Sequence, residues 1–144
     1  MGFAAQHNIG SYVVPVTSVF PESAAAGTIN GSSIDRSVHN MPNSCVLHQV
    51  VGAESGAPSA ASVQTKLQHS PDNSTWSDYT IGTTVQETAA LTAANTENTA
   101  AIDLGGAYRF IRAVAIVSFT GGTSPAILVA ADIILGGERE LAAV

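Results

Sequence analysis

Apolar and polar residues alternate along much of this chain with the two-residue period of strands. In 61–69, ASVQTKLQH, Val63, Thr65 and Leu67 point one way and Gln64, Lys66 and Gln68 the other. That is a strand with one wet face. In 44–52, SCVLHQVVG, one face carries Cys45, Leu47 and Gln49 and the other Val46, His48 and Val50. Residues 12–20, YVVPVTSVF, form a β-branched run in which Pro15 argues for an edge position or a bulge. The longest run, 107–119, is apolar on both faces, as a central strand requires. TGGTSP follows as a turn, and 126–135, AILVAADIIL, makes the last strand before Gly136-Gly137.

Between these runs lie turn residues. Asn30-Gly31 reads as a turn because both residues tolerate positive φ. HSPDNSTWSDY, residues 69–79, holds the single tryptophan. Its Ser-Pro-Asp-Asn segment is suited to a bend, with Pro presetting φ and Asp and Asn bonding to their own backbone. Strands 61–69 and 75–80 then pair as a hairpin, with Trp76 anchoring the turn to the core. On that reading Trp76→Ala costs about 3–5 kcal/mol. Residues 81–99 have low complexity and no period. They read as a short strand near 84–88 and a loop, with a short helix at 87–95 as the alternative. Residues 100–104 suggest one more short strand. About eight strands result, and the simplest architecture is an all-β, antiparallel β-sandwich of jelly-roll type. It forms a single domain over 1–144, with an N-terminal arm at 1–11 and a C-terminal tail at 136–144.

Composition narrows the role. Charged residues are only 11% of 144, against about 25% in ordinary soluble proteins. Little charge repulsion therefore opposes self-association. The net charge of −6 with five Lys plus Arg leaves no basic stripe for nucleic acid. The start, MGFAAQHNIG, lacks the basic and apolar regions of a signal peptide. The apolar stretch near the end is broken by GGTSP into two strand-length pieces. The expectation is a soluble protein made in a cytoplasm, with no membrane partner.

Candidate chemistry is sparse. Cys45 is the lone cysteine, so no internal disulfide forms, and its apolar neighbours predict a buried structural thiol. His7, His39, His48 and His69 stand at no metal-ligand spacing. Asp72, Asn73, Ser74 and Asp78 are oxygen-bearing but lack the ligand pattern of a calcium loop, so a plain turn is the reading. No nucleophile motif, phosphate-cradling loop or paired-acid arrangement is present, and neither an enzyme nor a cofactor is expected. Arg109 and Arg112 flank Phe110-Ile111 in an apolar strand. Such arginines pair with acids, and Asp35 and Asp103 are the available partners.

Three motifs stand in order: GSSID at 31–35, LQHSPDNSTWSD at 67–78 and RFIR at 109–112. Together with the strand SCVLHQVVG and a closing ILGG, they resemble small virion structural proteins of tailed bacteriophages, of the capsid decoration or cement type. The likeness spans about residues 28–137. It implies a jelly-roll-like sandwich on the outside of a phage head, bound to the major capsid protein, forming a homo-oligomer and held by many weak contacts. Asp35, Trp76, Asp78, Arg109 and Arg112 are then structural residues: a turn, a packing aromatic and an Arg–Asp pairing. The alternative role is a carbohydrate- or receptor-binding sandwich on a head fibre or tail.

Overall fold

The computed structural model describes residues 8–137. Most of the expected terminal arms, and His7, lie outside them. Eleven strands run in the order β1 (Val13–Ala24), β2 (Gly27–Asn30), β3 (Ile34–Asp35), β4 (Ser44–Ser55), β5 (Ala60–Ser70), β6 (Ser77–Asp78), β7 (Thr80–Ile81), β8 (Thr84–Val85), β9 (Thr96–Asp103), β10 (Phe110–Thr120) and β11 (Ala126–Gly136). The only helical pieces among the described residues are two short 3₁₀ turns, Ile9–Ser11 and Arg36–His39. The strand count exceeds eight because the two-residue strands β3, β7 and β8 add to the eight of the main ribbon, of which β6 is also only two residues long. Gly136, expected at the start of the tail, still belongs to β11 and pairs with both Val13 and Ser44.

Two antiparallel sheets carry the core. One has the order β1-β11-β4-β9, the other β2-β10-β5-β6, with β3 also on β10. With β3, β7 and β8 set aside, first pairs with last, second with second-last, third with third-last, and the middle two with each other. A single long hairpin ribbon rolled into two sheets produces that nesting, which is the jelly roll. The all-β antiparallel sandwich expected from the alternation is the observed fold.

Inward positions fit the pattern that predicted them. Cys45, Leu47, Gln49 and Val51 of β4 are buried, as are Val63, Thr65 and Leu67 of β5. They meet Ile111, Ala113, Ala115 and Val117 of β10 and Ile127, Val129, Ala131, Ile133 and Leu135 of β11. β10 and β11 each lie between two neighbours, consistent with their near-continuous apolar sequences. β1 is an edge, with Pro15 on it and register breaks between Thr17 and Val19 and between Val19 and Glu22. Pro cannot donate to a ladder, and bulges discourage further pairing.

Two local expectations are corrected, and one alternative falls away. Asn30-Gly31 makes no tight turn: Gly31 N donates to the Ala113 carbonyl at 2.8 Å, so the chain continues beside β10. Within residues 81–99 the expected short strand and loop form, with β8 at Thr84–Val85, and not the alternative helix at 87–95. Thr88 N and Leu91 N instead bond to the Thr65 and Val63 carbonyls, so this segment covers the free edge of β5. An open backbone edge beside a buried face is satisfied better by extended chain than by a self-contained helix. Trp76 does not anchor the core. It is half-buried, and Tyr79, 3% exposed, is the aromatic that enters it. The Tyr79 hydroxyl donates to the Asp103 carbonyl at 2.7 Å.

Candidate functional site

The turn after β5 is built by one carboxylate. Asp72 Oδ1 accepts from Thr75 N at 2.8 Å, Ser74 N at 2.9 Å and the Ser70 hydroxyl at 2.9 Å. Asn73 sits at φ 61°, the left-handed geometry that Asn tolerates. Donation from the Thr75 and Ser74 amides holds the Asp72 carboxyl down to about 2. Its oxygens are therefore occupied by the bend itself. Among the described residues no group of three His, Cys, Asp or Glu is placed to hold a metal ion.

This turn delivers Trp76 and β6 to the outer face of the five-stranded sheet. Arg112, Gln68 and Asp78 lie in one cross-strand row, because Arg112 pairs with Gln68 and Gln68 with Asp78. The Arg112 guanidinium lies 4.3 Å from the centre of the Trp76 ring and donates to Gln68 Oε1 at 2.8 and 3.1 Å. Gln68 Nε2 donates to Asp78 Oδ1 at 2.9 Å, and Lys66 Nζ lies 2.9 Å from the same oxygen. Donation from Gln68, then from Lys66, lowers the Asp78 pKa despite partial burial. Trp76, Asp78 and Arg112 thus belong to one connected network.

Asp35 and Arg109 meet at the end of the same face. Arg109 Nε and Nη2 donate to the two Asp35 oxygens at 2.9 and 2.7 Å, a bidentate pair. The Arg109 hydrogen bonds, with help from the Ser37 hydroxyl, hold the Asp35 carboxyl well below the usual carboxylate range. Arg109 also lies 4.9 Å from the centre of the Phe110 ring. The pair sits at the surface, with Arg109 54% and Asp35 25% exposed, so it is not a core bridge. Among the described residues Arg112 forms no carboxylate pair. Asp103, the other expected acid, instead accepts from Gly105 N at 2.8 Å.

The outer face of the four-stranded sheet has a different character. Register places Pro15, Ile134, Val46 and Ala101 in one outward row. The next row holds Thr17, Asp132, His48 and Thr99, and the one after it Ala130, Val50 and Glu97. His48 Nε2 is 2.8 Å from Glu97 and Nδ1 is 3.8 Å from Asp132. Beyond them Leu128, 48% exposed, and Phe20, 62% exposed, stand on the surface. An open groove of about 400 Å³ lies across the first row, lined chiefly by Val13, Val46, Ala101, Ile102 and Ile134.

Cys45 is buried, and desolvation pushes its thiol up to about 12, which keeps it protonated. His69 stacks on Tyr108 with ring centres 4.4 Å apart, and its Nδ1 accepts from Tyr108 N at 3.1 Å. Burial, then the nearby Arg36 charge, lowers its pKa. No described helix is long and apolar enough to cross a membrane.

Sequence reasoning passed over Arg36. Its side chain is 2% exposed, and its guanidinium donates to the carbonyls of Ala107, Tyr108, Pro42 and Leu104 at 2.6–3.2 Å. It ties the 3₁₀ turn and the loops before β4 and β10 together. The segment IDRSVH has no apolar periodicity, so nothing in it marked an arginine that turns inward.

No protein-family model matches the chain, and no curated protein matches it. Solved structures give distant likenesses. The YomS protein derived from the SPBc2 prophage is 17% identical over 84% of this chain and 95% of its own, with a TM-score of 0.37. A structure of infectious bursal disease virus, Gx strain, is 12% identical over 90% of this chain and 34% of that one, at 0.42. Desmodium yellow mottle tymovirus is 11% identical over 92% of this chain and 84% of that one, at 0.36. These scores are low, and the jelly-roll assignment rests on the strand order alone.

Proposed function

We propose that this chain is a virion structural protein that decorates or cements a phage head, bound to the outside of the major capsid protein shell in many copies. The supporting observation is the outer face of the four-stranded sheet. Its outward positions carry Pro15, Ile134, Val46, Ala101, Ala130 and Val50, with Leu128 and Phe20 beside them. An antiparallel sheet facing only water places polar residues there. Two apolar strips, separated by the polar row of Thr17, Asp132, His48 and Thr99, give this charge-poor chain surfaces suited to packing against other subunits. The motifs that resemble phage virion proteins agree with this reading, and multivalency would supply the hold.

The test is the copy number of this protein in purified particles, by quantitative mass spectrometry against the major coat protein. Hundreds of copies are expected. A few to a few dozen would move the protein to a fibre, tail or portal vertex. Complete absence from particles would sink the virion role.

One observation favours a carbohydrate- or receptor-binding role on a fibre or tail: Trp76 lies on a sheet surface with Arg112 and Gln68 beside it, outside the core. Aromatic faces beside fixed polar groups suit sugars. A glycan array probed with the wild type and Trp76→Ala separates the roles. Binding lost in the variant supports this second role, and no binding by either protein removes it.

A further inference from the structure

We propose that β9 is a self-complementary edge through which two copies of this chain pair, joining their four-stranded sheets into one. This inference stands apart from the virion reading, since such a pair can form on or off a particle.

The edges of the molecule are treated unequally. β1 carries Pro15 and two register breaks. The free edge of β5 is covered by β6 and by residues 86–91. On the far side of β10 stand only the short β2 and β3. β9 is different: eight residues, TENTAAID, without proline and in unbroken register with β4 from Thr96 to Asp103. Among the described residues, no backbone–backbone bond outside that ladder involves Thr96 through Asp103. Long, regular, uncovered edges are templates for another strand, and proteins that must stay single blunt them.

The sequence of β9 says which strand fits. Two copies meeting edge to edge across a two-fold axis pair antiparallel, and opposed side chains share a face. The axis must therefore pass through a residue. Through Ala100, it would set Glu97 against the partner's Asp103 at both ends, two acid–acid contacts. Through Thr99, it sets Thr99 against the partner's Thr99, Glu97 against the partner's Ala101 and Asn98 against the partner's Ala100. No acid then faces an acid, and a Thr–Thr pair, which is favourable across strands, lies at the centre. Thr96 would oppose the partner's Ile102, and the overlap stops short of Asp103, whose carbonyl Tyr79 already occupies. The outward row of Pro15, Ile134, Val46 and Ala101 would then approach the interface from each side.

The test uses the full chain. Analytical ultracentrifugation over a micromolar concentration series is expected to show a dimer. Thr99→Lys, which puts two ammonium groups face to face on an exposed position, is expected to shift it to monomer with an unchanged far-UV spectrum and a melting temperature that no longer depends on protein concentration. Opposed Cα atoms in such a ladder lie about 4.5–5.5 Å apart, within disulfide range. Thr99→Cys is thus expected to crosslink two chains on mild oxidation, while Ala101→Cys, opposed by Glu97, is not. The buried Cys45 contributes no crosslink of its own. A wild type that stays monomeric overturns the proposal. So does a dimer that survives Thr99→Lys, or one in which Ala101→Cys crosslinks as readily as Thr99→Cys.

Discussion

Single carboxylates shape this surface, and their protonation sets its acid limit. Asp72 is held down to about 2 by the amides of Thr75 and Ser74, and the Arg109 hydrogen bonds hold Asp35 below the usual carboxylate range. Both are depressed relative to the unfolded chain. Each therefore contributes stability that is complete above the ordinary carboxylate pKa of about 4 and is lost as the pH falls through the folded value. The melting temperature is expected to drop between about pH 4 and pH 2, and less steeply in Asp72→Asn. Equal slopes in the two proteins would mean that the turn does not depend on the ionised group. Aromatic residues divide the same stretch. Trp76→Ala is expected to cost only about 1 kcal/mol, the scale of an exposed cation–π contact with partial burial. Tyr79→Ala should cost about 3–5 kcal/mol, as for a core aromatic. Urea titrations of both variants decide it, and a reversed order would place Trp76 in the core after all.

Between elements, buried polar groups act as ties. Gln49, fully buried on β4, donates to the Ala89 carbonyl at 2.9 Å and accepts from the Thr65 hydroxyl at 2.8 Å. It links the two sheets to the segment that covers the β5 edge. Gln49→Leu matches the volume but strands the Thr65 hydroxyl, at about 1–3 kcal/mol, while the Ala89 carbonyl keeps its bond from Asn98 Nδ2 at 2.8 Å. Hydrogen exchange at the Thr88 and Leu91 amides should quicken with it. Unchanged exchange there would show that the cover holds without Gln49. Arg36 is the second tie. With four carbonyls on its guanidinium, Arg36→Ala is expected to cost about 3 kcal/mol or more, read by chemical denaturation. Gly31 marks a third constraint: a Cβ there would meet the Ser18 hydroxyl and lie 2.5 Å from the Ala113 carbonyl. Only glycine lets β2 pass so close to β10.

For the whole molecule, nesting of the ribbon makes folding a late event. β11 lies between β1 and β4, so the first strand has no sheet partner until the last arrives. A chain ending before Ala126 is expected to lack a cooperative unfolding transition, and the intact chain should fold in milliseconds to seconds, as non-local β topologies do. Circular dichroism melts of the truncated chain test the first point. A sigmoidal melt there would mean that the five-stranded sheet folds without its companion.

The sequence by itself determined the strands and their faces. Cys45, Leu47 and Gln49 turn inward and Val46, His48 and Val50 outward because alternation with period two leaves a half-buried strand no other register. Pro15 likewise announced an edge, since a residue without an N–H cannot sit inside a ladder. Tertiary structure decided whatever depends on the far side of a contact. Trp76 and Tyr79 are both large aromatics in one short stretch, and only the path of the Asp72 turn sends the second inward and leaves the first beneath Arg112. Arg112 was legible as a charge in an apolar strand, but its partner, Gln68, follows from the pairing of β10 with β5. Arg36 and the covering segment 86–91 were invisible in sequence because their roles consist of backbone groups offered by distant loops. Carbonyls and amides are the same at every position, so no residue pattern records which of them a fold will leave to be satisfied.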